Sequence, residues 1–442
     1  MGRSRRAPSD AGHGADRAEP RVASAGEPGR RAPLGGLASY SALRQAADAC
    51  QTLTLNWYLA SGPGAAGLLG LAWVAVRLPW LVLPLSGAAA DRVSRRRLIV
   101  GGDLAVAALG LAAAAAVAWR GRAAALAFLL LYGLGYAAVR PATKGLSREL
   151  APSPRAAARL SGLLTAIEYA ALLVAQLAAG RWLLPRGPAW GLGTMVVLLA
   201  LGCAVLAAGV PAGAAASGPE PPMGGRQVVR LLWSPPLRGP FAMTVACGAC
   251  AFALLPLAPL LAMGHGHLGS LHYAVSMAAY SLGAAGGAAL VRATEGWRLG
   301  VRGAALAWLA AAPAVALAPR LGPAGTALCF AVVGAAAGFQ DAGNAARVAA
   351  LIPPGAQSQA MALGSLVWRL PGVLAGLIVA GAARVPPATL CAVLAGVLAV
   401  LAAGGVWMEA GGGRGRRTRQ WVGIANSRVS EAPAGRSGPG PT

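Results

Sequence analysis

The chain has 442 residues, 56% hydrophobic and 12% charged, with a mean hydropathy of +0.58; this excludes a soluble globular domain and points to a polytopic membrane protein. A formal net charge of +24 would suit a nucleic-acid binder. The arginines, however, fall in loops and tails beside apolar runs rather than on one basic face, so no nucleic-acid partner is expected. The runs are long enough for helices to cross a bilayer core and lack the alternation of barrel strands, so the expected fold class is all-α.

In chain order, a Gly/Pro/Ser/Arg-rich tail, 1–33, reads as a disordered cytoplasmic segment. Apolar windows bounded by Gly, Pro and Arg predict helices over 36–60, 66–90, 98–119, 123–139, 160–184 and 190–210. A Pro/Gly/Ser-rich stretch, 211–240, reads as a cytoplasmic linker. Six more helices follow over 241–263, 271–291, 301–318, 324–341, 360–382 and 388–408, then a basic tail, 409–442, read as disordered. The expected domains are two six-helix bundles, 34–210 and 241–408.

Alternate connections collect the cations: Arg92 with Arg95, Arg96 and Arg97; Lys144 with Arg148 and Arg155; Arg226 with Arg230 and Arg238; Arg292 with Arg298; Arg347; and Arg414 with Arg416. The positive-inside rule then places both termini in the cytoplasm, for a multi-pass protein of the plasma membrane. An internal repeat agrees with an even count. A shift of 201 residues places Gly133 on Gly334, Leu150 on Leu351, Pro152 on Pro353 and Gly180 on Gly381 without a gap, which implies duplication.

Charges at membrane depth are costly, by about 2.5 to 3.5 kcal/mol on insertion scales, so each needs a partner or a water-filled cavity. Asp48 and Arg77 fall at comparable depth on the first two helices and are expected to pair. Gln45, Asp48, Thr52 and Asn56 form one polar stripe that can line a cavity. Tyr132, Tyr136 and Arg140 form another, suited to cavity lining or to plain packing. Arg140 and Glu168 recur after the shift as Asp341 and Arg369 with signs exchanged, which predicts one ion pair per half. Two readings stand for these groups: pairs that staple helices, or, above all for Asp48 and Glu168, carboxyls that carry protons. Arg44 and Arg347 are expected to snorkel to the interface, and Trp57, Trp190 and Trp407 to anchor there. No metal or other cofactor is expected: the six cysteines lie in apolar runs, and His265 with His267 offers too few ligands.

Gly87, Asp91, Arg92, Arg96 and Arg97 lie between the second and third apolar runs. This loop resembles the signature of the major facilitator superfamily, in which the acid and arginines form a cytoplasmic gating latch. The resemblance implies twelve transmembrane helices in two pseudo-symmetric bundles; Asp103, within two turns of the loop, is expected to belong to the latch. Asp48, Arg77-Leu78-Pro79, Pro141-Ala142 and Glu149-Leu150-Ala151-Pro152 look like the drug and siderophore exporter branch, which includes macrolide and enterobactin exporters. Three features depart from it: Thr143-Lys144 stands where Arg-Gln is usual, residues 172–180 lack the antiporter proline, and Arg292 replaces the acid of the second-half loop.

With no Gly-x-x-x-x-Gly-Lys-Ser/Thr loop, ATP drive is not expected. Nor is enzyme activity, since paired Asp-rich loops and a His-Asp catalytic loop are missing from the sequence. The expected function is secondary active, proton-coupled efflux of a small amphipathic compound, drug or metabolite, with a cation suited to the few acids, by a monomer working through alternating access. Translocation of a lysophospholipid or other lipid-like substrate, and a degenerate non-transporting sensor or scaffold, stand as alternatives.

Overall fold

The computed structural model describes residues 28–82, 94–150, 154–210, 230, 233–263, 269–294, 299–351 and 354–411. Both expected tails beyond these limits, most of the linker, and Gly87, Asp91 and Arg92 of the loop lie outside them. Every element among the described residues is helical. In the first half these are α1 (Pro28–Ala60), α2 (Ala65–Arg77, continued by a 3-10 turn Leu78–Val82), α3 (Arg95–Arg120), α4 (Arg122–Glu149), α5 (Pro154–Ala178, continued by a π turn Ala179–Leu183) and α6 (Pro188–Gly209). In the second, α7 is Pro235–Phe252 and, past a break at Ala253, Leu254–Met263. It is followed by α8 (Gly269–Thr294), α9 (Gly300–Leu317), α10 (Pro323–Leu351), α11 (Pro354–Gly381) and α12 (Pro387–Gly411).

Proline opens seven of the twelve helices, because its fixed φ suits the first turn and its missing N–H would have no partner there. Hence α7 starts at Pro235 inside the stretch read as linker, and α1 starts at Pro28 inside the stretch read as tail. Gly121 alone joins α3 to α4. Its φ of 62° reverses the chain in one residue, a conformation other residues resist.

The predicted ends of α4 and α10, 139 and 341, fall ten residues short of Glu149 and Leu351. A hydropathy window closes where a helix turns polar, and both helices continue with polar side chains facing the bundle interior. Nine of the described helices are long and apolar enough to cross a bilayer; α1, α2 and α11 are not among them. Those three carry Asp48, Arg77 and Arg369.

Helix packing repeats between halves. In the first, α1 packs on α5 and α6, α3 on α4 and α6, and α2 on α4; in the second, α7 packs on α11 and α12, α9 on α10 and α12, and α8 on α10. Each second-half pair is a first-half pair advanced by six helices. The 201-residue shift carries α4 onto 323–350, and α10 is Pro323–Leu351. Gly133 and Gly334 do the same work in the two copies: a Cβ on Gly133 would stand 2.5 Å from the Val76 carbonyl oxygen of α2, and one on Gly334 would strike the Tyr280 carbonyl of α8.

The halves meet along two seams, α2 with α11 and α5 with α8. Toward the face bearing the α1–α2 connection, backbones touch: a Cβ on Gly70 would lie 2.5 Å from the Gly376 oxygen and the Ala380 nitrogen, and one on Gly180 would strike Ala274. The π turn of α5 contains Gly180 and sits against α8. The largest hydrophobic cluster spans α7 to α12 around Trp308, Phe330 and Tyr273, and reaches Leu53 and Trp73 of the first half.

Candidate functional site

Two stripes with i, i+4, i+8 spacing face each other inside the first half: Tyr40, Arg44 and Asp48 on α1, and Tyr132, Tyr136 and Arg140 on α4. The Tyr132 hydroxyl donates to Asp48 Oδ1 at 2.7 Å and accepts from Arg44 Nη1 at 3.0 Å. Arg44 Nε stands 3.0 Å from Asp103 Oδ1 on α3, and the Tyr40 hydroxyl donates to Asp103 Oδ2 at 2.6 Å. Arg44 also lies 4.6 Å from the centre of the Tyr136 ring. On the other side of that ring system, Arg140 donates to the Tyr136 hydroxyl at 3.1 Å and pairs with Glu168 of α5 at 3.3 Å. A cavity of about 20 Å³, room for a single water, lies between Arg44, Tyr136, Arg140 and Glu168.

This arrangement corrects one expectation. Arg44 is 6% exposed and does not snorkel. It lies sixteen residues into α1, roughly 24 Å along the helix at 1.5 Å per residue, beyond a side chain's reach. Asp103 is 0% exposed and holds Arg44, a contact not expected; Gly87, Asp91 and Arg92 of the latch lie outside the described residues. Removing one partner of a buried pair strands the other charge, typically at a cost of about 3–5 kcal/mol. Arg44→Gln is therefore expected to lower the melting temperature sharply, with Arg44→Gln/Asp103→Asn recovering most of the loss. A double variant no better than the single one would show that the pair does not govern stability.

The second half does not copy this chemistry. The 201-residue counterparts of Tyr40, Arg44, Asp48, Asp103 and Tyr132 are Phe241, Val245, Ala249, Ala304 and Val333. Instead, Gln340 and Asn344 of α10 donate to the Thr244 hydroxyl of α7 at 2.7 and 2.8 Å. Arg347 donates to Asn344 Oδ1 at 2.8 Å and to the Gly300 carbonyl at 3.0 Å; it too is buried rather than snorkelling.

Among the described residues no ion pair links Asp48 to Arg77. Arg77 lies 3.5 Å above the Trp73 ring and packs against Gly372 of α11, since α2 leans on α11 and α4 more than on α1. Arg369 lies 3.9 Å above the Trp80 ring, and among the described residues no ion pair links it to Asp341, which is exposed on α10. Of the α1 stripe, Gln45, Asp48 and Thr52 are half-buried. Asn56 is buried, with its amide nitrogen 3.5 Å from the Tyr273 hydroxyl of α8. Trp57 stacks on Tyr273 across the halves at 6.1 Å, so it is no lipid anchor, whereas Trp190 and Trp407 are exposed. Of the loop arginines, Arg96 donates to the Ala207 carbonyl near the end of α6 at 2.7 Å, and Arg97 is exposed.

Periodicity within one helix could not reveal the roles of Tyr40, Thr244, Gln340 or Asn344. The parallel stripes on α1 and α4 were the available signal for Arg44 and Tyr132. A larger cavity lies elsewhere: an apolar groove of about 400 Å³ between α1, α5 and α6, lined by Ala46, Cys50, Ala175, Trp182 and Thr194.

The sequence matches the family model described as Major Facilitator Superfamily over residues 38–376. No curated protein sequence matches the chain. Among solved structures, the nucleoside transporter NupG is similar at a TM-score of 0.68 and 14% identity, over 85% of this chain and 98% of that one. The peptide transporter POT is similar at 0.63 and 14% identity, over 85% and 93%. Likeness at this identity establishes a shared fold alone.

Proposed function

This chain belongs to the major facilitator superfamily, and we propose that, as a secondary transporter of that family, it exports a small amphipathic compound across the plasma membrane in exchange for protons. One observation carries the reading. Asp48 is a half-buried carboxyl on the cavity stripe of α1, with the Tyr132 hydroxyl as its hydrogen-bond donor and no ion-pair partner among the described residues. A carboxyl so placed can take up a proton when the site faces outward and release it when the site faces the cytoplasm. The Tyr132 hydroxyl donates to it, and Arg44 stands one hydrogen bond further on. The second half carries Ala249 and Ala304 at the counterparts of Asp48 and Asp103, so proton handling is assigned to the first half. Both termini are placed in the cytoplasm and the working unit is taken as a monomer. Outward direction rests on the resemblance to drug and siderophore exporters.

A resistance screen in an efflux-deficient host would identify a compound, and purified protein in liposomes would then test the exchange with an internal pH dye. Adding the compound on one side is expected to move protons the other way. Transport without a pH signal would remove the coupling, and absence of transport would remove the function. Lysophospholipid translocation is the second reading, favoured by the apolar groove between α1, α5 and α6, which suits an acyl chain entering from the bilayer. Uptake of labelled lysophospholipid by spheroplasts separates the two.

A further inference from the structure

We propose that Arg77 and Arg369 form a clamp, one arm from each half, for an anionic group on the transported compound, through its carboxylate or phosphate oxygens. The proposal rests on the transport function above and names the chemistry of its substrate. Four kinds of observation converge on it.

The two side chains interlock across the α2/α11 seam. Arg77 of α2 packs against Gly372 of α11, one turn from Arg369, while Arg369 lies over Trp80 of the 3-10 turn that continues α2. Both are half-buried. Both guanidiniums stand at this one seam, over Trp73 and Trp80.

Neither arginine makes an ion pair with a carboxylate among the described residues. The contrast within the same bundle is direct: Arg44 has Asp103, and Arg140 has Glu168. A guanidinium at membrane depth without an anion is an expensive arrangement that a stapling role would not need. Trp73 and Trp80 relieve part of that cost by cation–π contact. A guanidinium lying on a ring keeps its in-plane N–H donors, which form the two-pronged fork that suits carboxylate or phosphate.

A third donor in the cluster also lacks an acceptor. The Trp80 ring is 2% exposed, and its indole N–H has no hydrogen-bond partner. The acids of the first half do not fill the deficit, since Glu168 is taken by Arg140 and Asp48 accepts from Tyr132.

The arms belong to different halves, and this gives the site a mechanical consequence. With the site empty, like charges oppose the approach of α2 to α11. A bound anion cancels the repulsion and bridges the seam, so loading favours closure. The expectation of a cationic substrate, drawn from the acids alone, is thereby reversed.

The test uses the full chain in phosphatidylcholine nanodiscs, with decanoate, decyl phosphate and decylammonium as probes of equal chain length. Decanoate and decyl phosphate are expected to raise the melting temperature and decylammonium to leave it unchanged. Arg77→Gln and Arg369→Gln should each weaken decanoate binding at least about tenfold, as loss of one charge-assisted contact implies. Arg77→Lys and Arg369→Lys, which keep the charge and lose the fork, should fall between. Decylammonium binding as tightly as decanoate, or Gln variants binding decanoate like the parent, would overturn the clamp. If a Gln variant fails to fold, the parent's choice between decanoate and decylammonium decides alone.

Phosphatidylglycerol nanodiscs identify the source of the anion. Stabilisation of the parent by that lipid, lost in the Gln variants, marks a lipid headgroup, and indifference to the lipid alongside decanoate binding marks a soluble compound; the clamp holds in both cases. Gradient-driven flux is measured on the same preparations. Anion binding without flux would remove the transport function and leave the clamp. Flux that excludes anions and survives Arg77→Gln would remove the clamp and leave transport.

Discussion

Asp48→Asn is expected to abolish gradient-driven accumulation of substrate while leaving exchange of substrate for substrate. Asparagine keeps the size of the side chain and an oxygen that can accept from Tyr132, so α1, α4 and the Arg44–Asp103 pair behind them have no reason to move. What it removes is the ability to bind and release a proton. One pH unit is worth about 1.4 kcal/mol per proton, enough to hold about a tenfold substrate ratio; without coupling that ratio falls to one. Tyr132→Phe should have a smaller effect, because it removes one hydrogen bond and leaves the carboxyl. Liposomes with an imposed pH difference measure both quantities. Accumulation by Asp48→Asn equal to the parent's would move the coupling role away from Asp48, with Glu168 next in line because it is half-buried beside the small cavity.

The spans and their duplication are legible in the sequence because a bilayer filters composition so strongly that apolar runs and the basic connections between them leave few alternatives. The 201-residue register holds for element boundaries as well as for single residues, as α4 and α10 show. The site is legible in part. Arg140 and Glu168 stand together as the sign-exchanged repeat suggests, but their counterparts do not, because Trp80 of the first half offers Arg369 a ring face across the seam. That contact belongs to the packing of one half on the other, which a within-half repeat does not encode. Tyr40 and Arg44 of α1 meet Asp103 of α3 and Tyr132 of α4, with 63 to 88 residues between hydrogen-bonded partners. No helical period links such positions. The misreading of Arg44 came from treating one arginine in isolation, whereas burial is decided by what the neighbouring helices present to it.

Gly67→Cys/Ala383→Cys is expected to tie the halves together under oxidation and to stop transport until a reductant is added. A Cβ on Gly67 of α2 would lie 3.5 Å from the Ala383 Cβ just past α11, within the separation that disulfides span. The six native cysteines are all buried and poorly placed to compete. Alternating access requires the face bearing the α1–α2 connection to open once per cycle, so a covalent tie there should reduce flux to background. The opposite displacement comes from Gly70→Leu, whose side chain would meet the backbone of Gly376 and Ala380 rather than a flexible side chain. Overpacking of this kind costs about 1–3 kcal/mol. If the cost falls mainly on the closed state, it shifts the balance between the two states by roughly five- to a hundred-fold toward opening of that face. Placed in the double-cysteine background, Gly70→Leu should slow cross-linking by a similar factor, a readout independent of any substrate. A disulfide that forms readily yet leaves flux unchanged would mean that this face stays shut during turnover, and the two halves would then not rock about the Gly70–Gly376 contact.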